Sequence, residues 1–114
     1  MQIISLANRN DFVESVNLEG TMYKLHFAWN PKAGWSVDMR TAQNVDIIRS
    51  IAVVPNFPLL NMYRRHDSLP PGELMAVINE KNAQQIGRDD FMTGLANFVY
   101  IPLEELINAV ETAV

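Results

Sequence analysis

Two apolar, strand-like runs on either side of a short Asn-Pro-Lys-Ala-Gly connection at 30–34 constrain the fold of this chain more than any other feature. Asn-Pro opens a turn, and the glycine can take the positive φ that closes a longer hairpin loop. Aromatic and branched cross-strand pairs stabilise a sheet by roughly 0.2–1 kcal/mol each over Ala–Ala. The simplest register gives three such pairs, which predict the centre of a β domain: Trp29–Trp35, Phe27–Val37 and Leu25–Met39.

The alternate positions of the same hairpin are polar, so one face of the predicted sheet is wet and the other is dry. Side chains alternate between the two faces of a strand. The residues expected on the wet face are Lys24, His26, Ser36, Asp38 and Arg40.

A second hairpin is predicted at Glu19-Gly20, a two-residue connection with glycine in second place. It would join a strand at Phe12–Leu18 to the first strand of the Trp hairpin, with Glu14 as the one charged residue on the apolar side. The faces of the three strands agree, so they are expected to share one apolar surface. The expected pairs are Leu18–Thr21, Val16–Tyr23 and Phe12–Phe27.

The remaining apolar runs predict further strands and one helix. The run Asp46–Val54 alternates imperfectly, which indicates a strand covered on both sides. At 114 residues the chain is expected to be a single β-rich domain over 1–114. We predict a mainly β fold, an antiparallel barrel or sandwich of about six to eight strands. The other predicted strands are Gln2–Leu6, Leu74–Ile78 and Asn97–Ile101.

An amphipathic C-terminal helix is predicted over 103–114. Pro102 is tolerated at a first helical position, and Glu104 and Glu105 complement the helix dipole. A lone helix of about a dozen residues is marginal in water, so its apolar stripe must pack on something. The stripe at helical spacing comprises Leu103, Leu106, Ile107, Val110 and Val114.

Composition excludes several classes of function. A net charge of −4 gives no electrostatic footprint for nucleic acid. The chain has no cysteine, so neither disulfides nor thiolate chemistry are available. No run approaches the roughly 20 apolar residues of a membrane helix, and the first residues lack the pattern of a signal peptide. We expect a soluble protein without membrane insertion.

Catalytic motifs are weak, and we predict that the protein is not an enzyme and takes no cofactor or metal. His26 could pair with Asp38 across the ladder, but no nucleophile pattern accompanies it. His66-Asp67-Ser68 are adjacent and cannot converge as a triad does. Asp89-Asp90 is the only carboxylate pair considered for a cation, and such a site would need more oxygens. A small hydrolase or metal enzyme that uses His26, His66 and Asp89 or Asp90 stays a second alternative.

Trp29 and Trp35 support another alternative, a small β-sandwich binding module that stacks a peptide or carbohydrate ligand on the two rings. Their alternation with other apolar residues favours a role in the core or in a contact between subunits. Arg64-Arg65 could hold a carboxylate or phosphate, or form an exposed corner.

Several segments in order resemble the small baseplate plug proteins of contractile-tailed phages, the type described from a cyanophage baseplate. The resemblance spans roughly Phe12 to Pro102, and each motif is weak singly. The segments are the Trp29–Trp35 hairpin, Val54 with Pro58-Leu59-Leu60, Tyr63-Arg64, Leu69-Pro70-Pro71-Gly72-Glu73-Leu74 and Arg88-Asp89-Asp90. The C-terminal helix departs from the pattern, which ends near the closing strand.

The resemblance implies a structural virion protein of the tail baseplate, made in the host cytoplasm. It implies a plug of the central hub and spike region that is displaced or rearranged when the sheath contracts. The implied partners are other baseplate proteins, namely the hub, the spike and the end of the tail tube. A homo-oligomer that follows the threefold hub is an option. Our candidate protein contacts are Arg64, Arg65, Leu69, Pro70, Leu106 and Val110.

Overall fold

The computed structural model describes residues 1–63, 68–78 and 85–107, and these residues form seven strands with short helical segments. The helical segments are a 3₁₀ turn at Asn61–Tyr63, α1 at Asp90–Thr93 and a C-terminal helix described over 103–107. The strands are β1 (Gln2–Ile4), β2 (Asp11–Leu18), β3 (Thr21–Asn30), β4 (Gly34–Thr41), β5 (Asp46–Ala52), β6 (Glu73–Ile78) and β7 (Ala96–Ile101).

The strands form two antiparallel sheets, ordered β1-β7-β6 and β2-β3-β4-β5. The sheets face each other without closing into a barrel, so the architecture is sandwich-like, one of the two predicted forms. Phe27 of the larger sheet meets Phe98 of the smaller sheet edge to face, with ring centroids 5.1 Å apart. The core lies between the sheets, because these and neighbouring side chains are almost completely buried.

Both predicted hairpins have the predicted register. β3 pairs with β4 so that Trp29 faces Trp35, and β2 pairs with β3 so that Phe12 faces Phe27. The Trp–Trp and Phe–Phe centroid distances are 5.5 and 5.2 Å. The other four predicted pairs are also present: Phe27–Val37, Leu25–Met39, Leu18–Thr21 and Val16–Tyr23.

The prediction for β5 was wrong in two respects. The strand ends at Ala52 instead of Val54. One of its faces is exposed, whereas the prediction had both faces covered, and the strand lies at the edge of its sheet. The imperfect alternation has another cause, a bulge. Two steps along β4, from Val37 to Met39, face three steps along β5, from Ile51 to Ile48, so β5 carries one extra residue. Ser50 within this bulge has φ +57°.

Other boundaries also differ from those predicted. β1 ends at Ile4 instead of Leu6, and α1 was not predicted, since a four-residue helix is too short to show a period. The C-terminal helix begins after Pro102, where the amide of Leu106 donates to the Pro102 carbonyl at 3.2 Å. The predicted continuation over 108–114 lies outside the described residues. No helix of the described part has both the length and the apolar character needed to cross a bilayer.

Candidate protein interface at the turn end of the sandwich

The candidate contact residues fall into two groups. Arg64, Arg65 and Val110 lie outside the described residues, as do His66 and Asp67. The other three candidates have defined positions. Leu69 and Leu106 are half-buried, and Pro70 is buried within the fold. Of the described candidates, Leu69 and Leu106 therefore have accessible surface, whereas Pro70 shapes its loop from inside.

Tyr100 joins the Pro-Pro-Gly turn to the β2–β3 hairpin. Its hydroxyl accepts a hydrogen bond from the Gly72 amide at 2.8 Å and lies 2.5 Å from a carboxylate oxygen of Glu19, to which it donates. A Cβ added at Gly72 would lie 2.2 Å from the Ile101 carbonyl and 2.6 Å from the Tyr100 ring. Glycine is required because the two chain segments approach too closely for any side chain.

The C-terminal helix starts at the same place. The amide of Leu103 lies 3.5 Å from the same Glu19 oxygen, where a carboxylate suits the positive end of a helix. The Glu105 carboxylate lies 2.5 Å from the Met1 amino nitrogen, next to β1. The turn and the helix start, predicted separately as contact elements, therefore meet at one end of the sandwich. The β2–β3 turn joins them there.

A cleft of about 780 Å³ opens at this end. Met22 contributes a side chain that is 45% exposed, and Leu69 lies opposite. The hydroxyl of Tyr23 donates to the Ser68 carbonyl at 3.1 Å and ties the loop to β3. We call the end of the sandwich that carries this cleft the turn end. Its lining includes Met22, Tyr23, Thr41, Leu69 and Pro71.

Glu73 supports the same region from inside. Its side chain is 6% exposed and accepts hydrogen bonds from the amides of Leu60 at 2.5 Å and Leu74 at 3.0 Å. The sequence placed Glu73 only in a turn. No local signal identifies its role, because Leu60 belongs to a segment distant in the chain.

The wet face of the larger sheet carries a histidine between two carboxylates. Nδ1 of His26 lies 3.0 Å from Asp38, and Nε2 lies 2.7 Å from Asp11. Each ring nitrogen must donate to its carboxylate, so the arrangement favours the charged imidazolium. The hydrogen bond to Asp38, then that to Asp11, raises the pKa of His26, partly opposed by burial.

Asp38 is itself held by the bulge of β5. Burial alone would raise the pKa of Asp38, but hydrogen bonds from His26 and from the Ser50 amide at 2.6 Å together lower it. Arg40 continues the charged row by pairing with Asp46 at 3.1 Å. The polar face is thus a row of ion pairs, and the predicted His26–Asp38 contact is confirmed.

The two tryptophans do not form an open stacking platform. Trp35 is 4% exposed, and its ring is surrounded by Trp29, Phe12 and Phe91. The Arg88 guanidinium lies 5.7 Å from the Trp35 ring centroid. A ligand that stacks on both rings would have to displace packed side chains, so the arrangement favours a scaffold role.

The described residues among those considered for catalysis are dispersed. Asp90 accepts a hydrogen bond from the Gly87 amide at 2.6 Å, and Asp89 pairs with Arg88 at 3.3 Å. His26 belongs to the charged row of the larger sheet. Over the described residues, no group of three or more histidine and acidic side chains has the placement to hold a metal ion.

A family model described as "Cyanophage baseplate Pam3 plug gp18" matches residues 1–104 of the chain. No curated protein matches the sequence. The family match covers most of the chain, including both hairpins and the turn end. It confirms the resemblance predicted from the sequence.

Proposed function

The chain belongs to the cyanophage baseplate plug family, and from this premise we propose that it closes or organises the central channel at the hub and spike of a contractile tail. Family membership makes it a structural component of a phage tail baseplate that associates with other baseplate components. The finer proposal concerns position and partners. The hub, the spike and the end of the tail tube are the proposed neighbours, and the protein is made in the host cytoplasm.

The observation that best supports this proposal is the convergence at the turn end. The Tyr100 hydroxyl bonds to both Gly72 and Glu19, so two loops and the start of the helix are held as one surface. A preorganised surface loses little conformational entropy when a partner binds. Such a surface suits a subunit that fits into a fixed position in an assembly.

We propose Leu69 and Leu106 as the described contacts on this surface, with Arg64, Arg65 and Val110 as further contacts outside the described residues. Pro70 contributes by fixing the loop that carries Leu69. The proposed role is non-enzymatic and needs no cofactor. A homo-oligomer that follows a threefold hub is compatible with it.

Co-assembly with the hub and spike proteins of the same phage tests the proposal. The chain is co-expressed with these proteins, and complexes are separated by size exclusion, with light scattering to measure copy number. Leu69→Ser should weaken co-elution. Val13→Ser should not, since Val13 is 49% exposed on the outer face of β2, away from the turn end. Failure of the unmodified chain to co-elute with either protein contradicts the proposal.

A further inference from the structure

The crossover between β5 and β6 exposes three large apolar side chains side by side. Val54 and Phe57 are each 44% exposed, and Met62 is 77% exposed. Single exposed apolar residues are ordinary, but a cluster around a cleft marks a contact site. We call these three residues the crossover patch.

The crossover patch is held rigidly by hydrogen bonds to the edge of β6. The Asn56 amide donates to the Ala76 carbonyl at 2.7 Å, and its side chain both donates to and accepts from the backbone of Ile78, at 3.1 and 3.0 Å. The Leu59 amide donates to the Leu74 carbonyl at 2.9 Å. The apolar side chains are therefore exposed on a fixed backbone, which lowers the entropy lost on binding.

The patch surrounds a small cleft of about 150 Å³. A dry apolar cavity of about this volume accommodates a benzene ring, so the cleft admits one side chain of similar size. None of the described residues that line it is charged. They include Ile51, Val54, Phe57, Leu59, Met62 and Tyr63.

We propose that the crossover patch anchors one apolar side chain, of leucine, methionine or phenylalanine size, from another baseplate protein. The identity of the partner rests on the proposed baseplate function, whereas the chemistry of the site rests on its geometry. A buried apolar anchor in a fitted pocket is typical of an interface hot spot. The unbranched side chain of Met62 can adjust to the shape of what enters.

Other occupants fit the patch less well. Two crossover patches that face each other in a twofold dimer would bury only three exposed side chains on each copy, less than the about 800 Å² per partner of a stable interface, so a dimer through this patch alone is disfavoured. Nucleic acid or an anionic headgroup needs basic residues, and the described residues of the lining include none. The adjacent edge of β5 has a bulge at Ser50, which disfavours extension of that ladder by a partner strand. Insertion of a side chain is the remaining mode.

Site-specific photo-cross-linking in whole phage particles tests the proposal. The chain carries the photoreactive residue p-benzoylphenylalanine at Met62, or at Val13 as the matched control on the outer face of β2. Each variant complements a phage that lacks the gene. Particles are purified and irradiated, and cross-linked peptides are identified by mass spectrometry. Circular dichroism of the purified variants establishes that both fold.

The proposal predicts a cross-link from position 62 to an apolar stretch of a different baseplate protein, and none from position 13. Exclusion of the folded Met62 variant from particles that accept the Val13 variant also supports it. A cross-link between two copies of the chain, or no cross-link from position 62 in particles that contain the variant, overturns it. If the unmodified chain is absent from particles, the proposed baseplate function is wrong. This result differs from the presence of the variant in particles without a cross-link from position 62, which overturns only the proposal for the patch.

Discussion

The Tyr100 hydroxyl lies 2.5 Å from the carboxylate of Glu19, although the two residues are 81 positions apart. Tyr100 belongs to the smaller sheet, and Glu19 lies in the turn between two strands of the larger sheet. Burial, and then the hydrogen bond to Glu19, raises the pKa of Tyr100 well above its usual 10. The hydroxyl therefore keeps its proton and donates to Glu19 at any physiological pH. This contact closes the turn end of the sandwich.

Tyr100→Phe should destabilise the fold by about 1–3 kcal/mol, because it removes the buried hydrogen bond from the Gly72 amide and the charge-assisted one to Glu19. The control Tyr23→Phe removes a hydroxyl that donates to the Ser68 carbonyl at 3.1 Å in a part-buried site. It should cost less, about 0.5–1.5 kcal/mol. Urea unfolding measures both changes. No loss for Tyr100→Phe, or a smaller loss than for Tyr23→Phe, would contradict the stabilising role of the contact.

Gly72→Ala should destabilise the protein because the new methyl group would lie 2.2 Å from the Ile101 carbonyl. Overpacking of this kind typically costs about 1–3 kcal/mol, and here the neighbour is backbone, which yields little. Gly94→Ala is the control, since a Cβ there meets nothing within 4 Å and the substitution adds only the strain of φ +86°. Thermal unfolding should rank Gly72→Ala as the less stable variant. NMR spectra should show a change in the Tyr100 resonances only for that variant. The reverse ranking would contradict the close approach.

His26 should make stability depend on pH in a defined direction. The fold raises its pKa, so its stabilising contribution is present in full below the unfolded value of about 6.5 and is lost as the pH rises through the folded value. The stability difference between the wild type and His26→Gln should therefore be larger at about pH 5.5 than at about pH 8.5.

Asp11→Asn distinguishes the contributions of the two carboxylates that face His26, because it removes one charge and keeps the contact with Asp38 at 3.0 Å. Asp11 is 73% exposed, so solvent screens its contribution and its replacement should reduce the pH dependence only in part. Denaturant titrations at the two pH values measure this. A difference that is independent of pH for His26→Gln would mean that the imidazolium is not favoured by the fold.

Deletion of 103–114 should impair assembly without unfolding the sheets. The described helix touches the rest of the chain mainly at its start, through Glu19, and at Glu105, while Leu103 and Ile107 are 42% and 48% exposed. Circular dichroism should retain the β signal, and co-elution with the hub and spike proteins should fall. Global unfolding of the truncated chain would show that the helix completes the core.

The sequence predicted the pairing of β2, β3 and β4 well, because alternation and turn chemistry act locally. Glu19-Gly20 and the Asn30–Gly34 loop determine the register of each hairpin, and every predicted pair is present. The bulge in β5 was missed, since an extra residue in a strand mimics the irregular alternation of a buried strand. A serine at position 50 does not by itself indicate a left-handed backbone conformation.

The candidate interface was predicted only in pieces. The Leu69–Leu74 turn and the helix were each identified from local patterns, but their meeting point depends on Tyr100 and Glu19, which are distant in the chain. Glu73 was missed for the same reason, since its partner Leu60 is remote. The crossover patch was missed because hydropathy alone does not separate exposed Met62 from buried Leu60.

An electron cryo-microscopy reconstruction of the whole baseplate of the phage that carries this chain tests the central claim most directly. The account predicts density for a two-sheet, seven-stranded sandwich on or beside the tail axis, with its turn end, including Leu69, against the hub or the spike. Density for the chain at the baseplate periphery, or a fully occupied axial channel that lacks it, would contradict the account.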